Sequence, residues 1–290
     1  MQHTNYKWVI TVACCSIVML TLGISRSTTV LLSEVKKSFN ISENASASYI
    51  AGPMVMGGLA APLAAWLCTI YAVRKICIFG ALSGFALLFS SVYFNFSFLP
   101  FVLLTSVAGF FHGSVLVSAP VEVNKWFEPD QRPVANALVW TGSSLGALWI
   151  GPAITYIGSI TGSENEQPNW KFAVMALSTL QVIGIVVASC FLKTAEDDSL
   201  LEKNKFQKSS LLYLLRKFPR YKLYLLSQFG YTFWRSAYYV YLVDFAMTSM
   251  KFSRQRASLL LTIDAACEIF FRPLAGKLAS RQSRYQFQVF

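Results

Sequence analysis

The chain has 290 residues, of which 54% are apolar and 13% charged, and its mean hydropathy is +0.48. Soluble domains carry roughly 25% charged residues, so an ordinary soluble globule is excluded, and 15% aromatics exclude a disordered chain. A net charge of +11 points to nucleic acid only on a soluble basic face; in a multi-pass membrane protein, excess cations belong to cytoplasmic loops.

A helix that crosses the hydrocarbon needs about 20 apolar residues, and eight stretches qualify. They are Trp8–Leu32, Ser48–Ile70, Ile76–Phe94, Phe98–Val121, Val134–Ile157, Phe172–Leu192, Leu223–Phe245 and Ala257–Ala279. The second to sixth contain no Asp, Glu, Lys or Arg. The first is too long for a signal-peptide core and lacks a small-x-small cleavage site, so it reads as a span that stays.

Orientation follows from the basic residues, which concentrate in short cytoplasmic loops. With the N-terminus inside, and Lys277 counted with the cytoplasmic end of the last span, the cytoplasmic segments hold 16 Lys and Arg, the outer loops six, and the spans three. The N-x-S/T sequons at Asn40, Asn44 and Asn95 all fall on the outer side of this topology. Asn40 and Asn44 are the glycosylation candidates, because Asn95 sits too close to the membrane.

The longest polar break, residues 193–222, predicts a cytoplasmic central linker. It separates a six-helix transmembrane domain at 1–192 from a partial second domain at 223–290. All six cysteines lie in or beside apolar segments, and none has metal-ligand spacing, so no disulfide framework, metal or cofactor is expected.

GSSLG at Gly142–Gly146 matches the G-x-S-x-G nucleophile pattern around Ser144, but that motif needs a strand-turn-helix context. Here it lies inside an apolar span, where Gly142 and Gly146 read as a small-xxx-small packing seam. His112 lies mid-span and is read as a hydrogen-bonded structural residue or a proton relay.

The informative charges of the first, seventh and eighth spans are Arg26, Arg235, Asp264, Glu268 and Arg272. Each costs about 2.5 to 3.5 kcal/mol at the bilayer centre unless paired or wetted, so together they point to a polar pathway. Asp264, Glu268 and Arg272 stand four apart and share one helix face, with Glu268 correctly oriented for an i,i+4 pair with Arg272. Depth, at 1.5 Å per residue, suggests Arg26 with Asp264 and Arg235 with Glu268 as cross-helix pairs. Arg26 alternatively snorkels to the outer headgroups.

At these residues the chain resembles the monocarboxylate transporter family of the major facilitator superfamily. SRSTTVLLSE in the first span is similar to the family stretch in which a lysine stands where Arg26 stands here. RPVANALVWTGSSLG resembles the family signature R-P-L-A-N-G-L-A-x-A-G, and IDAACEIFFRPLAG resembles the D-x-x-x-R-P-x-x-G helix. The first motif aligns Arg132, Pro133, Asn136, Gly142 and Gly146; the second aligns Glu268, Arg272, Pro273 and Gly276. The chain departs from the family at HTNYKW, where the opening D-G-G-W-G-W is expected, and at WFEPDQR, which has lost two cations.

The resemblance implies an all-α major facilitator fold made of a six-helix half plus the first two helices of a second half. It implies a plasma-membrane, multi-pass secondary transporter of lactate- or pyruvate-type organic anions, proton-coupled and not an enzyme. Arg26 and Arg272 would bind substrate, Glu268 and Asp264 would couple protons, and Arg235 would line the pathway. Partners implied are a small organic anion, protons, the bilayer and a single-span ancillary glycoprotein, with no nucleic acid. Eight spans against the family's twelve predict an incomplete carrier that does not transport alone. Facilitated transport of aromatic amino acids or related organic solutes stays open as an alternative. So does a non-transporting isoform that associates with a full-length carrier.

Overall fold

The structure, a computed structural model, describes residues 2–27, 31–161, 169–192, 245–252 and 254–286, with scattered positions between 222 and 242. The side chains of Arg26 and Asn44, and all of Arg235, lie outside the described residues. So does most of the expected seventh span. The chain divides into two compact units, Met1–Thr194 with Leu261–Phe290, and Ala195–Leu260. In the smaller unit, a helical stretch at residues 245–248 closes on Phe245 O, which accepts from Ser249 N, and Lys251 follows with a φ of 55°.

The described elements are all helical. They are α1 (Gln2–Ser27), α2 (Leu32–Phe39), α3 (Glu43–Ile70), α4 (Val73–Tyr93), α5 (Phe98–Trp126), α6 (Arg132–Thr161), α7 (Trp170–Cys190) and α8 (Arg254–Gln286). Six of them, α1 and α3 to α7, are long and apolar enough to cross a membrane. The expected eighth span lies within α8, but its charged residues keep it out of that set. The stretch read as outer loop holds the short amphipathic α2, which ends at Asn40 with a φ of 50°.

The fourth expected span ends at Val121, and the helix that contains it, α5, continues to Trp126 and carries Glu122 and Lys125. Glu122 is only 3% exposed. Its Oε1 accepts from Trp126 Nε1 at 3.1 Å, and Lys125 Nζ stands 3.5 Å from its other oxygen. Lys125 also donates to the Cys68 carbonyl at the end of α3, at 3.3 Å. The helix continues because its last turn supplies its own counter-charge and ties itself to a neighbour.

Lipid gives no hydrophobic drive between helices, so close backbone packing must hold the bundle. The pairs with the greatest contact are α3 on α5 and α1 on α6, followed by α4 on α5. A Cβ at Gly142 would sit 2.2 Å from Cys15 O, and one at Gly146 2.2 Å from Met19 O. Gly109 and Gly113 press in the same way on the backbone of Pro53 and Gly57. Glycine is required at these crossings because the backbones themselves touch. His112 fills space against Gly84 on α4, in line with a packing role.

Polar contacts mark the two ends of the bundle. At one end Tyr6 donates to Phe191 O at 2.8 Å and Lys7 to Gln131 Oε1 at 3.0 Å. At the other, Lys171 Nζ bonds Asn95 Oδ1, beside an aromatic cluster of Phe39, Phe98, Phe101 and Trp170. Residues 6, 131 and 191 thus share one face and residues 39, 95 and 171 the other, the alternation the expected topology requires.

Candidate functional site

At about 100° per residue, the Gly142/Gly146 seam of α6 points one way, and Pro133, Ala137, Trp140 and Ser144 point the other. That second face meets α8. A Cβ on the buried Gly276 would lie 2.6 Å from Ala137 Cβ and 2.9 Å from Pro133 O, so the two helices touch there. One turn back, Arg272 Nη1 donates to Trp140 O and, at 2.7 Å, to Ser143 Oγ. One turn further, Ser144 Oγ donates to Glu268 Oε2 at 2.5 Å. Partners run in opposite order along the two helices, which is an antiparallel pairing read in steps of four residues.

Within α8, Arg272 Nη2 and Glu268 Oε1 form an ion pair at 2.8 Å, the i,i+4 pair expected from the spacing. Both side chains are mostly buried, at 19% and 18% exposure. Phe270, Phe271, Leu274 and Leu278 are exposed, so α8 turns its ionised stripe to α6 and its apolar residues outward. Ser143 and Ser144 are both 0% exposed. The result is a compact cluster in which a guanidinium and a carboxylate meet inside the larger unit, each also bonded to a serine of α6.

Asp264 lies a further turn along α8 and is partly buried. Pro273 removes the N–H that would bond the carbonyl of residue 269, a loss that membrane helices tolerate. Asn136 Nδ2 donates to Asn124 Oδ1 at 2.8 Å, tying α6 to α5, while its own buried Oδ1 finds no donor among the described residues. Arg132 opens α6 and donates through Nε to Phe127 O at 3.0 Å, closing the short link from α5. The structure therefore brings Glu268, Arg272, Pro133 and Gly276 together. Arg132 and Asn136 sit nearer the end of the bundle, and the proposed pairs through Arg26 and Arg235 fall outside the described side chains. No cluster of His, Cys, Asp or Glu able to hold a metal occurs among the described residues.

Sequence reasoning missed the part played by Ser143, Ser144 and the Trp140 carbonyl, as well as the buried Glu122. Ser144, a hydroxyl on the face of the span opposite its glycine seam, with Ser143 beside it, was the available signal. The groove of about 550 Å³ between α1 and α7, lined by Trp8, Val12, Leu20, Val187 and Phe191 among others, carries no charged residue and is no anion site.

A family model described as Major Facilitator Superfamily matches residues 13–290. The chain belongs to the major facilitator superfamily. Among solved structures it is similar to the superfamily's proton:xylose symporter XylE bound to 6-bromo-6-deoxy-D-glucose, with a TM-score of 0.68 and 14% identity. The match covers 95% of this chain and 69% of that one. No match was found among curated proteins. The fold is thus that of a multi-pass transporter, and the superfamily's business is moving solutes, not catalysis.

Proposed function

We propose that this transporter carries small monocarboxylates of the lactate or pyruvate type together with a proton, and that the α6–α8 cluster is its anion site. The observation that carries the reading is the Glu268–Arg272 pair at 2.8 Å in a largely buried setting. Arginine's planar guanidinium matches a carboxylate in a fork, and here an internal carboxylate already occupies one of its nitrogens.

A substrate carboxylate and Glu268 therefore compete for the same cation. When Glu268 takes up a proton it ceases to be a counter-ion, and Arg272 becomes available to the substrate. Proton and anion then enter as a neutral pair, which avoids the cost of an uncompensated charge between the helices. Arg26 supplies a second cation to the anion, while Asp264 and Arg235 extend the polar path. The superfamily places such sites between its helical repeats, near mid-membrane. The basic-residue bias supports a cytoplasmic N-terminus, and outward Asn40 and Asn44 support a plasma-membrane location.

The test is titration of the purified 290-residue protein with lactate by calorimetry. The wild-type protein binds lactate. Arg272→Ala weakens binding at least tenfold, since a bond to a charged group contributes roughly 1.5 to 3 kcal/mol. Arg272→Lys falls between them, keeping the charge and losing the fork. Equal lactate affinity in wild type and Arg272→Ala rejects the reading.

A further inference from the structure

Hydroxyls inside helices commonly return their proton to the carbonyl four residues back. Thr11, Thr21, Ser90, Ser114, Ser118 and Thr141 all do so here. Ser144 does not. Its hydroxyl crosses to another helix and donates to Glu268 Oε2, at 2.5 Å. The carbonyl it would otherwise use, Trp140 O, accepts from Arg272 and, at 2.8 Å, from Ser143 Oγ. Arg272 takes over the partner that Ser144 gives up.

We infer that Ser144 is a positioning residue of the anion site, its hydroxyl fixing the Glu268 carboxylate and, through the Glu268–Arg272 pair, the plane of the guanidinium. Four observations converge on this. The glycines on either side of Ser144 lock α6 against α1 by backbone contact, so the opposite face of α6 has little freedom. Gly276 holds α8 close at the next crossing. Ser144 is fully buried, so water does not compete for its proton. Glu268 then has one oxygen on Ser144 and the other on Arg272, which leaves its carboxylate little rotation.

A hydroxyl is suited to this position because it both donates and accepts. It donates to ionised Glu268 and, by turning, accepts from the protonated acid. Ser144 thus stays bonded through the charge change that the proposed function assigns to Glu268. The inference rests on that function only where it speaks of substrate.

The experiment compares wild type with Ser144→Ala and Ser144→Cys in the purified full chain. The first readout is the infrared carboxylate band of Glu268, isolated by subtracting the spectrum of Glu268→Gln. The second is lactate affinity, and the third the melting temperature. The expected result is a band displaced most in Ser144→Ala and less in Ser144→Cys, whose thiol is a weak donor. Lactate affinity falls in the same order, about tenfold for Ser144→Ala, equivalent to about 1.4 kcal/mol. A lowered melting temperature with an unmoved Glu268 band makes Ser144 a packing residue and overturns the inference. A displaced band in a protein that binds no lactate upholds the Ser144–Glu268 link and rejects the monocarboxylate reading instead. If Ser144→Ala does not fold, the displacement in Ser144→Cys decides alone.

Discussion

Two largely buried acids, Glu268 and Glu122, are each met by a cation of their own helix and by a hydrogen-bond donor. Glu268 has Arg272 on its helix and Ser144 across it. Glu122 has Lys125 and Trp126 on its own helix, and Lys125 reaches α3. Removing one member leaves the others desolvated and unsatisfied, a cost of about 1 to 3 kcal/mol per group. Glu122→Ala is therefore expected to lower the thermal midpoint by several degrees without touching lactate affinity, since its contacts involve no residue of the α6–α8 cluster. Differential scanning fluorimetry beside lactate titration checks both halves. At this scale the sequence was partly legible. The Glu268–Arg272 pair followed from four-residue spacing and helix polarity alone. The serine contacts did not, because spacing within one helix says nothing about which residues of another lie opposite.

The α1–α6 and α3–α5 crossings are set by backbone contact at their glycines. The seam at Gly142 and Gly146 was visible in the sequence, since small residues four apart in an apolar span have few other uses. What it packed against was not visible, because α1 offers no matching pattern beyond Gly23, which meets Gly146. Gly146→Leu forces a side chain into Met19 O and is expected to prevent α1 from seating on α6, with loss of folded protein in detergent gel filtration. Gly276→Val acts differently. It pushes α8 from Pro133 and Ala137 and so strains the Arg272 contacts one turn away. Its expected signature is a severalfold loss of lactate affinity with a melting temperature lowered by only a few degrees. The continuation of α5 past Val121 was not legible, because a charge normally ends a span and nothing local announced that Lys125 and Trp126 would satisfy Glu122.

On the scale of the whole molecule, composition and hydropathy fixed the class, since a chain so poor in charge and so rich in apolar runs needs the bilayer as solvent. Membership of the major facilitator superfamily agrees with that class and with the helical architecture. Substrate identity was not legible, because a guanidinium beside a carboxylate accommodates many small anions. Sidedness is tested by glycosylation. With the N-terminus in the cytoplasm, Asn40, exposed at the end of α2, carries a glycan that Asn40→Gln abolishes, read as a mobility shift after deglycosylation. An unglycosylated Asn40 together with a cytoplasmic location of residues 32–42 in protease protection contradicts the orientation.

In the proposed carrier, proton uptake by Glu268 frees Arg272 for a substrate anion. Lactate calorimetry on the purified protein in buffers of different ionisation enthalpy measures this directly, because the buffer dependence of the observed heat counts protons taken up on binding. Net proton uptake with each lactate is expected in the wild-type protein and none in Glu268→Gln, which still binds lactate. Lactate binding with the same proton uptake in both proteins, or with none in either, contradicts this mechanism.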